Sequence, residues 1–248
     1  WYPGRLVERR SGAPTWRVAA TLNDRKLGWR CVAFAPSNPN RVYAGTCSVA
    51  SFGQPDDALP GAGVWTSPDG GRTWKPARAG AANAHVRALA VDPRHEGHVF
   101  AATTNHGILE TLDGGASWHG RNPNPGSPPV ALAVAIHPGN TRLVFVGLRG
   151  GGLRRSTDGG ATWKAWVPGL DANASVNAIL FDPHEPDRMY VADRASGVYR
   201  KLPNEKRWTP LLQGLATHEI RALALSADGR ILYAGTEGAG VFRLRVRP

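Results

Sequence analysis

Ser67-Pro68-Asp69-Gly70-Gly71-Arg72-Thr73-Trp74 is a stretch that returns twice. It recurs as Thr111-Leu112-Asp113-Gly114-Gly115-Ala116-Ser117-Trp118 and as Ser156-Thr157-Asp158-Gly159-Gly160-Ala161-Thr162-Trp163, with the aspartates 44 and 45 residues apart. Two worn copies keep the period: Leu202-Pro203-Asn204-Glu205-Lys206-Arg207-Trp208 and Ser11-Gly12-Ala13-Pro14-Thr15-Trp16. The chemistry is that of a turn. Paired glycines adopt backbone angles that other residues resist, and an aspartate accepts hydrogen bonds from nearby amides.

Three apolar segments recur in step with this turn. The first ends in a turn of its own: Val32-Ala33-Phe34-Ala35-Pro36, Leu89-Ala90-Val91-Asp92-Pro93, Val134-Ala135-Ile136-His137-Pro138, Ile179-Leu180-Phe181-Asp182-Pro183 and Leu223-Ala224-Leu225-Ser226-Ala227. The second runs through Val42-Tyr43-Ala44-Gly45, Val99-Phe100-Ala101-Ala102, Leu143-Val144-Phe145-Val146-Gly147, Met189-Tyr190-Val191-Ala192 and Leu232-Tyr233-Ala234-Gly235. The third follows a glycine: Gly63-Val64-Trp65, Gly107-Ile108-Leu109, Gly152-Leu153-Arg154, Gly197-Val198-Tyr199 and Gly240-Val241-Phe242. Each repeat therefore reads as four short strands, A to D, with the Asp-containing turn between C and D. Short, evenly spaced strands at a period of about 40–45 residues are the pattern of β-propeller blades. The expected fold is all-β: a single five-bladed propeller of four-stranded antiparallel blades over residues 1–248. Trp16-Arg17-Val18-Ala19-Ala20 is expected to close the ring as the outer strand of the last blade, against Val241 to Val246. Leu6 to Arg10 competes for the place of strand C in that blade.

These motifs resemble the BNR or Asp-box propellers, a group that includes bacterial sialidases, the sortilin luminal domain, xyloglucanases and the photosystem II stability/assembly factor family. The resemblance covers nearly the whole chain. It implies that Asp69, Asp113 and Asp158, with Trp74, Trp118 and Trp163, are structural and lie on the face opposite the ligand site.

The chain has 30 Lys+Arg against 19 Asp+Glu, a net charge of +11, which favours acidic partners. No apolar run approaches the ~20 residues that span a bilayer. No CxxC, Cys/His zinc spacing or HExxH is present, and neither a metal nor a cofactor is expected. The chain opens at Trp1-Tyr2-Pro3, as expected of a processed or trimmed form, and a fragment of a longer chain is the alternative. Its two cysteines, Cys31 and Cys47, flank the first A–B hairpin and are expected to face each other, within reach of a disulfide if the protein is extracytoplasmic.

Antiparallel A and B strands put the start of A and the end of B on one face, away from the Asp turns. The residue just before each strand A core is Arg30, Arg87, Leu132, Asn177 and Arg221. The B–C loops add Arg149 and Arg194, beside His106 and Glu237. In the first blade that loop takes 17 steps from Thr46 to Gly63, against 4 in the other blades, and carries Phe52. The candidate ligand or partner site is this arginine-rich face, since planar guanidinium forks suit carboxylate and phosphate.

Two functions fit. One is a non-catalytic scaffold docking an acidic protein or a membrane-associated complex, as in complex assembly. The other is a sialidase-like glycoside hydrolase acting on anionic glycans, in which three arginines would hold a substrate carboxylate. The Arg-Ile-Pro motif of that family is absent, and no nucleophile–base pair is evident, so no catalytic residue is assigned. Nucleic acid is not expected, because exposed aromatics are not interleaved with the basic residues.

Overall fold

The computed structural model describes residues 4–9, 12, 14–22, 27–48, 61–77, 79–122 and 127–246. The fold is an all-β, five-bladed β-propeller, built from antiparallel sheets. Two compact units divide the chain, Trp1–Val130 and Ala131–Pro248. Among the described residues no helix is long and apolar enough to cross a membrane.

The first unit holds a hairpin and two blades. The hairpin pairs β1 (Arg5–Glu8) with β2 (Arg17–Thr21). The first blade is β3 (Leu27–Ala35), β4 (Asn38–Ser48), β5 (Val64–Ser67) and β6 (Lys75–Pro76). The second is β7 (Val86–Val91), β8 (Val99–Thr103), β9 (Ile108–Thr111) and β10 (His119–Gly120). The second unit holds two four-stranded blades and one of three strands. Its first is β11 (Ala131–Ile136), β12 (Val144–Leu148), β13 (Leu153–Ser156) and β14 (Lys164–Ala165). Next comes β15 (Val176–Phe181), β16 (Met189–Asp193), β17 (Gly197–Lys201) and β18 (Thr209–Pro210). The last is β19 (Ile220–Leu225), β20 (Ile231–Thr236) and β21 (Val241–Arg245).

β-branched and aromatic residues fill the middle strands, and β8, β12 and β16 are buried at every position. Such continuous apolar runs are what a strand covered on both faces requires. The A–B turns explain the recurrent Asp-Pro: the Asp92 carboxylate accepts the amides of Arg94 and His95 at 2.8 and 3.3 Å, and Asp182 does the same for His184 and Glu185. In the third blade the His137 imidazole takes over as acceptor, for the amides of Gly139 and Asn140, each at 3.1 Å.

Neighbouring blades are locked by the tryptophan that leads strand D. The Trp118 amide donates to the Ala79 carbonyl at 3.1 Å, and the Trp208 amide to the Pro168 carbonyl at 2.8 Å. Both indoles are buried in the apolar clusters of their own units.

Two expectations are corrected. The N-terminal strand Trp16 to Ala20 was expected against Val241 to Val246; among the described residues β2 instead pairs with β1, and β21 pairs with β20. The physical reason is local: Arg17 stands opposite Glu8 in β1 and bonds to it, and an opposite-charge pair across two strands favours their pairing. The cysteine register also differs. The hairpin closes with Ala35 opposite Asn38, and a bulge at Arg30 shifts the ladder, so Cys31 faces Gly45 while Cys47 faces Gly28. Neither cysteine is in a disulfide.

Candidate functional site

Each strand A breaks its ladder at one residue. The register skips between Trp29 and Cys31, Val86 and Ala88, Ala131 and Ala133, Val176 and Ala178, and Ile220 and Ala222. The skipped residues are Arg30, Arg87, Leu132, Asn177 and Arg221, the five aligned from sequence. A bulge leaves its extra residue unpaired and re-aims the side chain. The repeated bulge is therefore the device that presents these side chains.

The two units use that position differently. In the first unit Arg30 is exposed and Arg87 half-buried, and both lie close enough to lower the pKa of the Cys31 thiol. Burial outweighs them and pushes that thiol up to about 12, so it stays protonated and unreactive. In the second unit Leu132 is buried, and Asn177 donates its amide to the Ile220 carbonyl at 3.0 Å, which ties two blades together. Arg221 is ion-paired with Glu237. Arg149 and Arg194 are exposed on their B–C loops. Asp193 does not serve Arg194: its carboxylate is buried and accepts the amides of Ser175 and Ser196. Phe52 lies outside the described residues, but the ends of its loop are held as in the other blades, with Thr46 donating to the Gly63 carbonyl at 3.0 Å.

At the same end of the second blade, beside the expected His106, sequence reasoning missed His85, Thr104 and Asn105. His85 is 2% exposed, and neither ring nitrogen has a hydrogen-bond partner among the described residues. The buried Thr104 hydroxyl and His106 Nδ1 are also without partners. Asn105 fixes the arrangement, accepting the His85 amide at 2.9 Å and donating to the Asn83 carbonyl at 2.9 Å. Buried polar atoms without partners are rare in native proteins, and each asks for an explanation. A lone histidine before a strand gives no sequence signal of this kind.

The Asp turns are closed by internal bonds. Ser67 donates to Asp69 at 2.8 Å, and Asp69 accepts the Thr73 amide at 2.8 Å and hydroxyl at 2.7 Å. Asp113 and Asp158 repeat the set with Thr111 and Ser117, and with Ser156 and Thr162. The bonds from Thr73 hold Asp69 ionised down to about pH 2, and the other two aspartates are likewise held far below the usual carboxylate range. Trp74 caps its own turn by donating to the Gly71 carbonyl at 3.0 Å.

One buried charge cluster was also missed. His98 bridges Asp92, at 3.1 Å from Nδ1, and Glu110, at 2.9 Å from Nε2, and Arg121 pairs with Glu110 at 2.6 Å. Both carboxylates are at most 5% exposed, which leaves no room for a substrate between them.

The BNR/Asp-box repeat model matches residues 154–165, from Arg154 to the end of β14. The chain carries a BNR/Asp-box repeat. No curated protein sequence matches it. Among solved structures this Asp-box propeller is similar to an ancestral GH74 enzyme, with 21% identity and a TM-score of 0.69 over 88% of this chain and 30% of that one. It is similar to YCF48 from Cyanidioschyzon merolae, with 17% identity and a TM-score of 0.62 over 90% of this chain and 68% of that one. It is similar also to YCF48 bound to D1 peptide, with 17% identity and a TM-score of 0.59 over 87% of this chain and 62% of that one. The Asp-box propeller thus spans less than a third of the GH74 enzyme, and at these identities the likeness is one of fold.

Proposed function

We infer that this protein is a non-catalytic docking propeller that binds an acidic protein, free or within a membrane-associated complex, in an assembly role. The observation that carries the reading is the strand A bulge of the first unit. There Arg30 and Arg87 are presented from adjacent blades, at the strand end where His85, Thr104 and His106 hold buried polar atoms without internal partners. Arginine supplies long-range attraction and planar recognition of carboxylates. Open polar groups supply the directional bonds that a peptide backbone can complete. A YCF48 of similar fold is bound to a peptide, which supports a protein as the partner class. The hydrolase reading loses its third arginine, because Arg221 is held by Glu237.

The test is capture from a native-source extract with three baits: wild type, Arg30→Glu/Arg87→Glu, and Arg72→Glu/Arg207→Glu as the Asp-turn control. The reading expects one partner shared by wild type and control, missing from the first variant and released as salt rises toward the ~8–10 Å screening regime. Equal capture by all three, or hydrolysis of a sialoside by the wild type, overturns it.

A further inference from the structure

Strands C and D meet at two residue pairs in each of the first four blades. The second pair is Thr66 with Lys75, Glu110 with His119, Arg155 with Lys164 and Arg200 with Thr209. Among these pairs only that of the third blade sets two cations directly opposite each other, an arrangement that destabilises a sheet. Two more repeat positions depart at the same place. The residue after β14 is Trp166, whose amide donates to the Leu153 carbonyl at 2.9 Å, where Ala77, Arg121 and Leu211 hold the matching position in the other blades. Lys201 stands seven residues before the strand D tryptophan, where Ser67, Thr111 and Ser156 begin the intact turns and donate to the turn aspartate. The worn fourth turn has Pro203 in place of that aspartate.

These departures converge. Side chains alternate along a strand, so Lys164, opposite Arg155, shares a face with Trp166. The Arg155 guanidinium lies 5.2 Å from the Trp166 ring centre, and the Lys201 ammonium lies 5.5 Å from it. Phe145 and Trp208 pack on the same indole, with ring centres 5.1 and 5.5 Å away, and fix it as a platform. Cation–π attraction holds each cation at the ring but leaves the repulsion between them. Carboxylates of the same two blades are engaged elsewhere: Asp158 in its own turn, Asp187 with His137, and Glu205 with Arg200 and the Leu202 amide. Among the described residues Arg155, Lys164 and Lys201 form no ion pair.

We propose that Arg155, Lys164 and Lys201, gathered around Trp166 between the third and fourth blades, bind a phosphate group. Charge and shape select the ligand. A carboxylate brings one charge and two oxygens, whereas a phosphate monoester near neutral pH brings almost two charges and three acceptor oxygens. The guanidinium fork takes two oxygens side by side, and an ammonium meets another as a point charge. The like-charged pair then has a purpose: its repulsion costs stability in the protein alone and is offset when a dianion stands among the three cations. Both blades belong to the second compact unit, so the site draws on that unit alone. It shares no residue with the docking face around Arg30 and Arg87.

The test is calorimetric titration of the full chain at constant ionic strength with inorganic phosphate, glycerol 2-phosphate and acetate. Saturable one-to-one binding of phosphate is expected, at least tenfold tighter than that of acetate. Tighter binding of glycerol 2-phosphate than of inorganic phosphate assigns the ligand to an ester, and the reverse assigns it to the free ion. The substitutions copy residues that other blades carry at the same positions, so the fold is kept. Arg155→Thr and Lys201→Ser should each weaken phosphate binding at least tenfold. Lys164→Thr should raise the urea midpoint measured without phosphate and shrink its rise when phosphate is added. No saturable phosphate binding overturns the proposal, as does binding that acetate matches. Phosphate that binds and stabilises the wild type and all three variants equally also overturns it, because the effect is then one of bulk salt. Capture of the acidic partner through Arg30 and Arg87 is independent of either result.

Discussion

The fourth and fifth blades differ less in sequence than in burial. The middle strands are Met-Tyr-Val-Ala-Asp in β16 and Ile-Leu-Tyr-Ala-Gly-Thr in β20, equally apolar, yet β16 is buried throughout and β20 only at alternate positions. Strand C shows the same contrast. β17 starts buried, whereas β21 is exposed at four of five positions, with Val241 at 72%. The difference tracks strand D, which among the described residues the fourth blade has and the fifth does not. Burial in this fold is a property of the neighbour as much as of the strand, because a single sheet cannot cover its own faces.

The hardest way to break the comparison is to make the fourth blade resemble the fifth. Trp208→Ala removes an indole that is 3% exposed and packs with Leu153, Phe145 and Trp166, at a cost of about 3–5 kcal/mol in chemical denaturation. A loss under 1 kcal/mol would show that the wedge does not hold the blades.

The second blade offers a test of nearly the same size. Burial lowers the pKa of His98, but bonds to Glu110 and Asp92 outweigh it and leave the pKa raised. Burial likewise raises Asp92 and Glu110, and the amide of Arg94, His98 and Arg121 outweigh it, so both end lowered. His98→Ala strands two buried carboxylates and is expected to cost about 3–5 kcal/mol near neutral pH. The His98 contribution is full below its unfolded pKa of about 6.5 and fades as pH rises through the raised folded value. Those of Asp92 and Glu110 are full above about 4 and fade as pH falls through their lowered folded values. Arg188 occupies the place of His98 in the fourth blade, beside Asp182. His98→Arg should therefore keep stability and remove its decline on the alkaline side, as read by urea midpoints from pH 5 to 9.

Glycine substitutions sharpen the contrast with a smaller effect. Gly214→Ala meets only the left-handed backbone penalty, about 1–2 kcal/mol, whereas Gly169→Ala adds a collision with Trp208 and should cost more. Equal losses would mean that the Trp208 contact adds nothing to the backbone penalty at Gly169. Smallest of all, Arg30→Glu at an exposed bulge should change stability by no more than about 0.5 kcal/mol.

The repeat made much of this legible. Blade strands, Asp turns and the five bulge positions follow from apolar runs and aligned loops, since each uses local chemistry repeated several times. What escaped was non-repeating. The partner of β2 depended on Glu8 facing Arg17, a charge match hidden in a register. The Cys31 and Cys47 offset depended on a bulge and a tighter hairpin, neither visible in a count of residues. His85 and His98 are single histidines whose roles come from what surrounds them: for one, polar atoms left without partners, and for the other, two carboxylates brought in by separate strands.

The docking claim is tested most directly by hydrogen exchange on the protein with its captured acidic partner. The account predicts slowed exchange in peptides containing Arg30, Arg87 and the Thr103–Gly107 loop, with the Asp turns at residues 67–74 and 111–118 unchanged. Protection concentrated at those turns, with none at Arg30 and Arg87, would contradict it.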